Sequence, residues 1–304
     1  MGQVLKAALY TMALAAGFVR VRILSPFDPA QGSPALIPES YQAGAPSLLI
    51  AALPYGNLQE TVPIPPPGER AAYIAPFAQR NYYREGVKRL QKLGLSFRTQ
   101  YGGRRSDFRI LCNSPVPEKP LAQAAGLGVL GRNGLIITPE AGSLVIIAAM
   151  TLPFFLDQDG PEPDLHQAEP FPWCVQCDPV QPPCVRACPT GAVRGDGTLE
   201  LTRCIQWYAS GHGRTVPPEI ALNWGNRLYG CTECQDACVH NQRTIQGVRS
   251  TEGPLPAYLD PVALEALSDE ELKARFKGTA LGLSWLGPQG IRRNARLAAS
   301  RKQY

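Results

Sequence analysis

The sequence predicts an α+β protein in three parts, and three observations carry that reading. Residues 1–160 mix helix-period segments with strand-type apolar runs, residues 161–248 hold eight of the nine cysteines, and residues 249–304 carry only helical patterns. A length of 304 residues suits about two independent cores. The 44% hydrophobic fraction is enough to build them.

The elements of the first part follow in order. Leu5, Leu9, Met12 and Ala16 recur at helical spacing and Gly17 ends that helix, so Met1 to Phe18 reads as a core helix and not as a signal peptide despite Lys6 and its Ala/Leu-rich stretch. Phe18 to Leu24 alternates apolar and basic residues as a strand does. A Pro/Gly/Ser-rich loop then leads to Ser47–Leu53, an unbroken apolar run of buried-strand type. After the proline-rich loop Thr61 to Gly68, Tyr83, Val87 and Leu90 form the apolar stripe of a helix that Gly94 is expected to close. Phe108 to Leu111 is a short strand, Leu121 to Ala125 a helix, and Leu135 to Ile137 and Ser143 to Ala149 are strands. Between them, Gly126-Leu-Gly-Val-Leu-Gly131-Arg-Asn-Gly134 has glycines spaced to let a backbone approach something bulky, as in a cofactor-binding loop. It follows a helix and precedes a strand, the reverse of a dinucleotide fingerprint, and it is not a P-loop.

The acidic, proline-rich linker Asp157 to Trp173 opens the second part. Its first cysteine run is Cys174, Cys177, Cys184 and Cys188, the last followed by Pro189; the second is Cys204, Cys231, Cys234 and Cys238. A cubane iron–sulfur cluster takes four thiolates, and in two-cluster ferredoxins the fourth cysteine of each run ligates the neighbouring cluster. That rule assigns Cys174, Cys177, Cys184 and Cys238 to one [4Fe–4S] cluster and Cys188, Cys204, Cys231 and Cys234 to the other. Zinc also accepts four thiolates from paired Cys-x-x-Cys steps, but a zinc ribbon needs neither the extended run nor the proline. Disulfides would demand an oxidising compartment and usually a much smaller chain. Leu201 to Ala209 reads as a helix between the runs, and Pro261 to Leu267 and Asp269 to Phe276 as helices beyond them.

The net charge of +5 is compatible with a nucleic-acid partner without requiring one. Its most concentrated stretch is the C-terminal tail with Arg292, Arg293, Arg296, Arg301 and Lys302, which reads either as a solvated helix face or as a contact for nucleic acid. No apolar run reaches the ~20 residues a bilayer requires. The expected setting is cytoplasmic, without a membrane, as a monomer.

Gly126-Leu-Gly, Gly131-Arg-Asn133, Gly142-Ser143, the Cys188–Ala192 stretch, Arg203-Cys-Ile205 and above all Gly225-Asn-Arg-Leu-Tyr-Gly-Cys231 with Cys234-Gln235 resemble the epoxyqueuosine reductase family. Asn81-Tyr-Tyr83 and Arg292-Arg-Asn-Ala295 match it more loosely. The resemblance implies a nitroreductase-like α/β domain that binds cobalamin, a ferredoxin-like double-cluster domain, and a C-terminal helical region. It also implies reductive opening of an epoxide on a modified tRNA base, with electrons from an external low-potential donor of ferredoxin or flavodoxin type. Gly128, Arg132, Asn133, Gly142 and Ser143 are the expected cobalamin contacts.

Four positions depart from the family. Cys112 in Cys112-Asn-Ser-Pro115-Val-Pro-Glu118 stands where the family has its proton-donating aspartate, and it is either the catalytic acid's replacement, a cobalt-facing thiol or a structural one. Asp107 and Glu118 are the nearby acids. The Cys177 to Cys184 spacing is longer than usual, and Val239-His240 replaces Pro-Trp. His240, like His166 and His212, is expected as a surface or loop residue. The chain also ends soon after Arg296, where many members continue into helical repeats. Two alternatives stand beside the tRNA reaction: a non-catalytic electron carrier, against which the long α/β half argues, and a cobalamin-dependent reductase of another substrate.

Overall fold

The computed structural model describes residues 1–25, 46–55, 71–160, 171–213, 215–243 and 254–300. The two early loops, His166, Arg301 and Lys302 lie outside the described residues. The chain forms two compact units: Met1–Pro54, Tyr83–Gly131 and Leu135–Gln176 make the first, and Tyr55–Tyr82, Arg132–Gly134 and Cys177–Tyr304 the second. They interleave along the sequence, whereas the expected boundaries at 160 and 248 run consecutively. Strand pairing is the reason, because β3 (Ala72–Ile74) lies parallel to β8 (Arg227–Tyr229) and antiparallel to β9 (Tyr258–Leu259).

The first unit is organised by an antiparallel sheet in the order β1-β2-β7-β4, with β1 at Arg20–Leu24, β2 at Ser47–Pro54, β4 at Ile110–Leu111 and β7 at Val145–Leu152. The apolar run of β2 is buried at every position from Ser47 to Leu53, since it has a strand on either side. Helix α1 (Gly2–Ala15) buries Leu5, Leu9 and Ala13, and Gly17, at φ +86°, turns the chain back into β1. The alternation in β1 leaves Arg20 buried, where its guanidinium meets Glu140 at 2.6 Å.

Helix α2 (Tyr82–Tyr101) does not stop at Gly94 as expected. A side chain at Gly94 would reach within 3.1 Å of Met150 Sδ and 3.5 Å of Phe108, so the glycine serves close packing on β7 and not termination. The glycine-rich segment lies between α3 (Glu118–Ala124) and the hairpin β5 (Val129–Leu130) and β6 (Ile136–Ile137).

The second unit contains α4 (Pro183–Arg186), α5 (Ile205–Ala209), α6 (Pro218–Leu222), α7 (Glu233–Asp236), α8 (Val239–Arg243), α9 (Pro261–Ala266), α10 (Asp269–Phe276) and α11 (Gly287–Ala299). The single helix expected over Leu201 to Ala209 breaks at Cys204, whose backbone is extended and caps α5. Leu264, Leu272, Phe276 and Ile291 form one apolar core with Ile74 and Leu228. Helix α11 is pinned by Asn294, which is fully buried and whose Nδ2 donates to the carbonyls of Ala209 and Leu228, both at 2.9 Å.

Asn294→Ala leaves two buried carbonyls without that donor. It should cost about 2–4 kcal/mol, because the penalty for orphaned acceptors adds to the broken bonds. Urea unfolding followed by near-UV circular dichroism would measure it, and a change within ~0.5 kcal/mol, the scatter of a neutral surface substitution, would refute the pinning role.

Candidate metal centre

Seven of the eight cysteines in the two runs belong to the second unit, and Cys174 closes a buried turn at Pro172–Cys174 in the first. Short helices with proline or cysteine at their starts present the sulfurs. Pro183 opens α4 and sets Cys184 in its first turn; Cys188 follows that helix, its N–H bonded to the Val185 carbonyl. Cys204 caps α5, while Cys231 and Cys234 bracket the start of α7 and Cys238 separates α7 from α8.

Burial governs the electrostatics. Cys234 is raised far above an ordinary thiol, first by burial and then by Cys231, Cys204, Cys188 and Cys184. Burial likewise pushes Cys231 up to about 11, against the lowering effect of Arg227 and the Glu233 N–H. Cys204 is raised by burial and by Cys188, and Cys238 by burial and by Cys177. The four thiols assigned to the second cluster therefore lie within electrostatic reach of Cys234, with Cys184 of the first set beside them, and Cys177 lies near Cys238. Among the described residues no three His, Cys, Asp or Glu side chains draw together as ligands of a single ion.

The donor set fits an iron–sulfur cluster. Burial also acts on Cys188, but N–H groups of Val193, Thr190 and Ala192 together with the Thr190 hydroxyl outweigh it and bring that thiol below its usual pKa. The Ala192 N–H stands 3.2 Å from the sulfur. Cys204 receives the N–H groups of Trp207 and Gln206 in the same way. Such N–H to sulfur bonds hold the thiolate form that ligation requires and tune cluster potential. Where burial keeps thiols neutral, metal binding must displace their protons, so folding and loading are linked.

A buried polar network backs the second run. The Asn241 amide donates to the Gln235 carbonyl at 2.7 Å, and the Gln235 side chain donates to the Tyr55 hydroxyl at 2.7 Å. Sequence reasoning gave neither amide side chain a role; their signal is that they flank Cys234 and Cys238. His212, expected as a loop residue, stacks on Trp207 with ring centroids 4.1 Å apart and meets Ser210 Oγ at 2.9 Å.

The residues expected to contact cobalamin have local structural roles. A side chain on Gly128 would lie 2.3 Å from the Ile137 carbonyl, so the glycine lets its backbone pack on its own hairpin. Gly142, at φ +54°, closes a turn in which its carbonyl accepts from the Thr138 hydroxyl at 3.0 Å, and Ser143 beside it is buried. The Arg132 guanidinium donates to the carbonyls of Pro179 and Gly195, and Asn133 is buried.

Cys112 directly follows the edge strand β4 in the first unit. Its thiol points to the Tyr83 carbonyl at 3.7 Å, and a side chain at Gly86 on α2 would meet it in ordinary contact at 3.7 Å. Burial, then the Glu118 carboxylate, pushes Cys112 up to about 12. Tyr83 is raised by burial and then by Cys112 and Glu118. Glu118 accepts the Ser114 N–H at 3.1 Å and closes the loop, in which Asn113, at φ +51°, is the one non-glycine residue with positive φ among the described residues. Such strain of ~1–3 kcal/mol persists only where surroundings enforce it.

The profile of the 4Fe-4S double cluster binding domain matches residues 173–241. Epoxyqueuosine reductase of Bacillus subtilis is 35% identical over 185 residues, covering 60% of this chain and 44% of that protein. The Francisella cf. novicida enzyme is 31% identical over 216 residues, covering 69% of this chain and 57% of its own length. The chain thus spans about half the length of the curated relatives it matches. In fold, it matches a solved Bacillus subtilis epoxyqueuosine reductase whose catalytic aspartate loop is swung out of the active site, with a TM-score of 0.79 at 26% identity, covering 98% of this chain and 82% of that one. An epoxyqueuosine reductase solved with an epoxyqueuosine-modified tRNA-Tyr stem loop matches with a TM-score of 0.80 at 26% identity, covering 98% and 81%.

Alkylation chemistry checks the environment of Cys112. At pH 8.5 a thiol raised to about 12 holds roughly a thousandfold less thiolate than an ordinary cysteine. Iodoacetamide labelling of Cys112, mapped by mass spectrometry, should lag a free-cysteine peptide accordingly and keep rising with pH beyond 9, where the peptide levels off; matching rates would contradict the burial.

Proposed function

We propose that this chain, a relative of the epoxyqueuosine reductases by sequence and fold, is an iron–sulfur reductase that opens the epoxide of epoxyqueuosine in tRNA. The observation that carries it is the pairing of eight cluster-type cysteines with matches to epoxyqueuosine reductases in both halves of the chain. Net reduction of an epoxide to an alkene takes two electrons and two protons and releases water. Two one-electron clusters suit the electron delivery.

Cobalamin enters the proposal through relatedness alone. The electrons come from a donor of ferredoxin or flavodoxin type. Cys112 is proposed as the proton-bearing side chain at the epoxide, with Glu118 holding its loop through the Ser114 N–H.

In a bacterium lacking its own epoxyqueuosine reductase and supplied with cobalamin, expression of this chain should convert epoxyqueuosine to queuosine in tRNA hydrolysates. Persistent epoxyqueuosine in the presence of loaded, soluble protein would reject the substrate. Anaerobically reconstituted protein should hold about eight irons, and Cys231→Ser should bring that to about four by removing a ligand of the second cluster alone. Stoichiometric zinc in place of iron would overturn the cluster assignment.

A further inference from the structure

The basic residues of the C-terminal helix were the natural candidates for an RNA contact, and the structure engages them otherwise. Arg292 bonds Asp269 at 2.5 Å and the Leu267 carbonyl at 2.7 Å, Arg293 bonds the carbonyls of Gly213 and Tyr208, and Arg296 pairs with Glu265 at 3.0 Å. These cations hold the second unit together.

One stretch of the first unit is strongly basic. From Tyr83 to Lys119, nine basic side chains stand against three acidic ones, a net charge of +6 where the whole chain carries +5. All three acids are bound locally: Glu85 to Arg89 at 3.0 Å, Asp107 to the Arg104 N–H at 2.6 Å, and Glu118 to the Ser114 N–H at 3.1 Å. Lys88, Lys92, Arg104 and Arg105 are exposed, and their side chains have no ion pair among the described residues.

Their arrangement follows from helix geometry. Arg84, Lys88 and Lys92 succeed one another at i, i+4 and i+8, so they line one face of α2, opposite the buried Leu90, Leu93 and Phe97. At ~1.5 Å per residue the helix forms a ridge of roughly 30 Å, and Arg104 and Arg105 follow its C-terminal end. Like charges at i, i+4 weaken a helix slightly, and the acid nearest this face, Glu85, is paired with Arg89. A solvated face usually mixes signs, whereas exposed cations such as Lys88, Lys92, Arg104 and Arg105, with no ion pair among the described residues, suit a polyanion.

We propose that this ridge is a docking surface for the phosphate backbone of an RNA stem–loop. The inference rests on the tRNA reading above and deepens it, by assigning the contact to α2 and the loop after it and not to the C-terminal helix. Its contacts are to phosphates, so they add affinity without reading sequence.

The test uses the full chain with its clusters loaded and an unmodified anticodon stem–loop RNA, with binding read by fluorescence anisotropy across salt concentrations. The combined variant Lys88→Gln, Lys92→Gln, Arg104→Gln, Arg105→Gln should raise Kd at least ~10-fold near 0.1 M salt and flatten the log Kd against log salt slope by about 0.7–0.9 for each phosphate no longer neutralised. Arg296→Gln should leave both unchanged. Cluster absorbance and circular dichroism should match the wild type, since none of the four side chains holds another element. Equal binding by the combined variant and the wild type, or no RNA binding by either, overturns the ridge. Unchanged RNA binding together with abolished binding to phosphatidylserine vesicles overturns it in favour of a membrane surface. Queuosine formation in cells separates the two readings: a chain that fails to make queuosine but loses RNA binding on substitution loses the substrate assignment and keeps the ridge.

Discussion

Buried thiols that cannot ionise side by side set the terms for the second unit. Cys234 is raised by four other cysteines as well as by burial, and the short helices α4, α5 and α7 exist to bring those sulfurs into range. Arg227 lowers Cys231 and also pairs with Glu233. The scaffold also supplies backbone N–H groups, most fully at Cys188. Thiols raised by burial and by one another favour a bound cationic core, which supplies positive charge among them. The amide network of Asn241, Gln235 and Tyr55 then reads as support for the turn that carries Cys234 and Cys238.

The parts legible in the sequence are those with local causes. Ligand spacing is local, since each Cys-x-x-Cys step is one turn of chain, and so is the burial of Ser47 to Leu53, written in an unbroken apolar run. Gly94 misleads because the side chain it packs closely against belongs to Met150, far along the chain. Cys204 interrupts a helix-period segment because its sulfur must sit at a helix start, a demand made by its partners and not by its neighbours. The interleaving of the units follows from β3 pairing with β8 and β9, short strands whose composition carries no trace of which partner they choose.

Charge shows the same division. A count of arginines draws attention to the C-terminal helix, yet Arg292, Arg293 and Arg296 find carboxylates and carbonyls that only the fold brings near. Helix α2 attracts less notice because its cations are interspersed with apolar residues, and those apolar residues turn inward. A charge cluster in sequence is thus poor evidence of a charged surface until its partners are known. The better local signal is the helical spacing of exposed basic residues, as with Lys88 and Lys92 on α2.

Cys112 sharpens what the proposed reduction asks of its proton donor. With a pKa near 12, its proton is harder to give up than that of an ordinary carboxyl by about 11 kcal/mol. Such a group is fully protonated at neutral pH, so none of its capacity is lost to ionisation. It is too weak to assist cleavage by protonating an intact epoxide oxygen, but an alkoxide is basic enough to take its proton. The thiol therefore suits a sequence in which carbon–oxygen cleavage runs ahead of proton transfer, whereas a carboxyl at the same place could help the bond break. Burial and then the Glu118 carboxylate push the thiol further in that direction. Replacing Glu118 by glutamine would remove that charge while keeping an acceptor for the Ser114 N–H. The Cys112 pKa should then fall, with its alkylation rate near neutral pH rising in step; a rate unmoved by the substitution would leave burial as the whole cause.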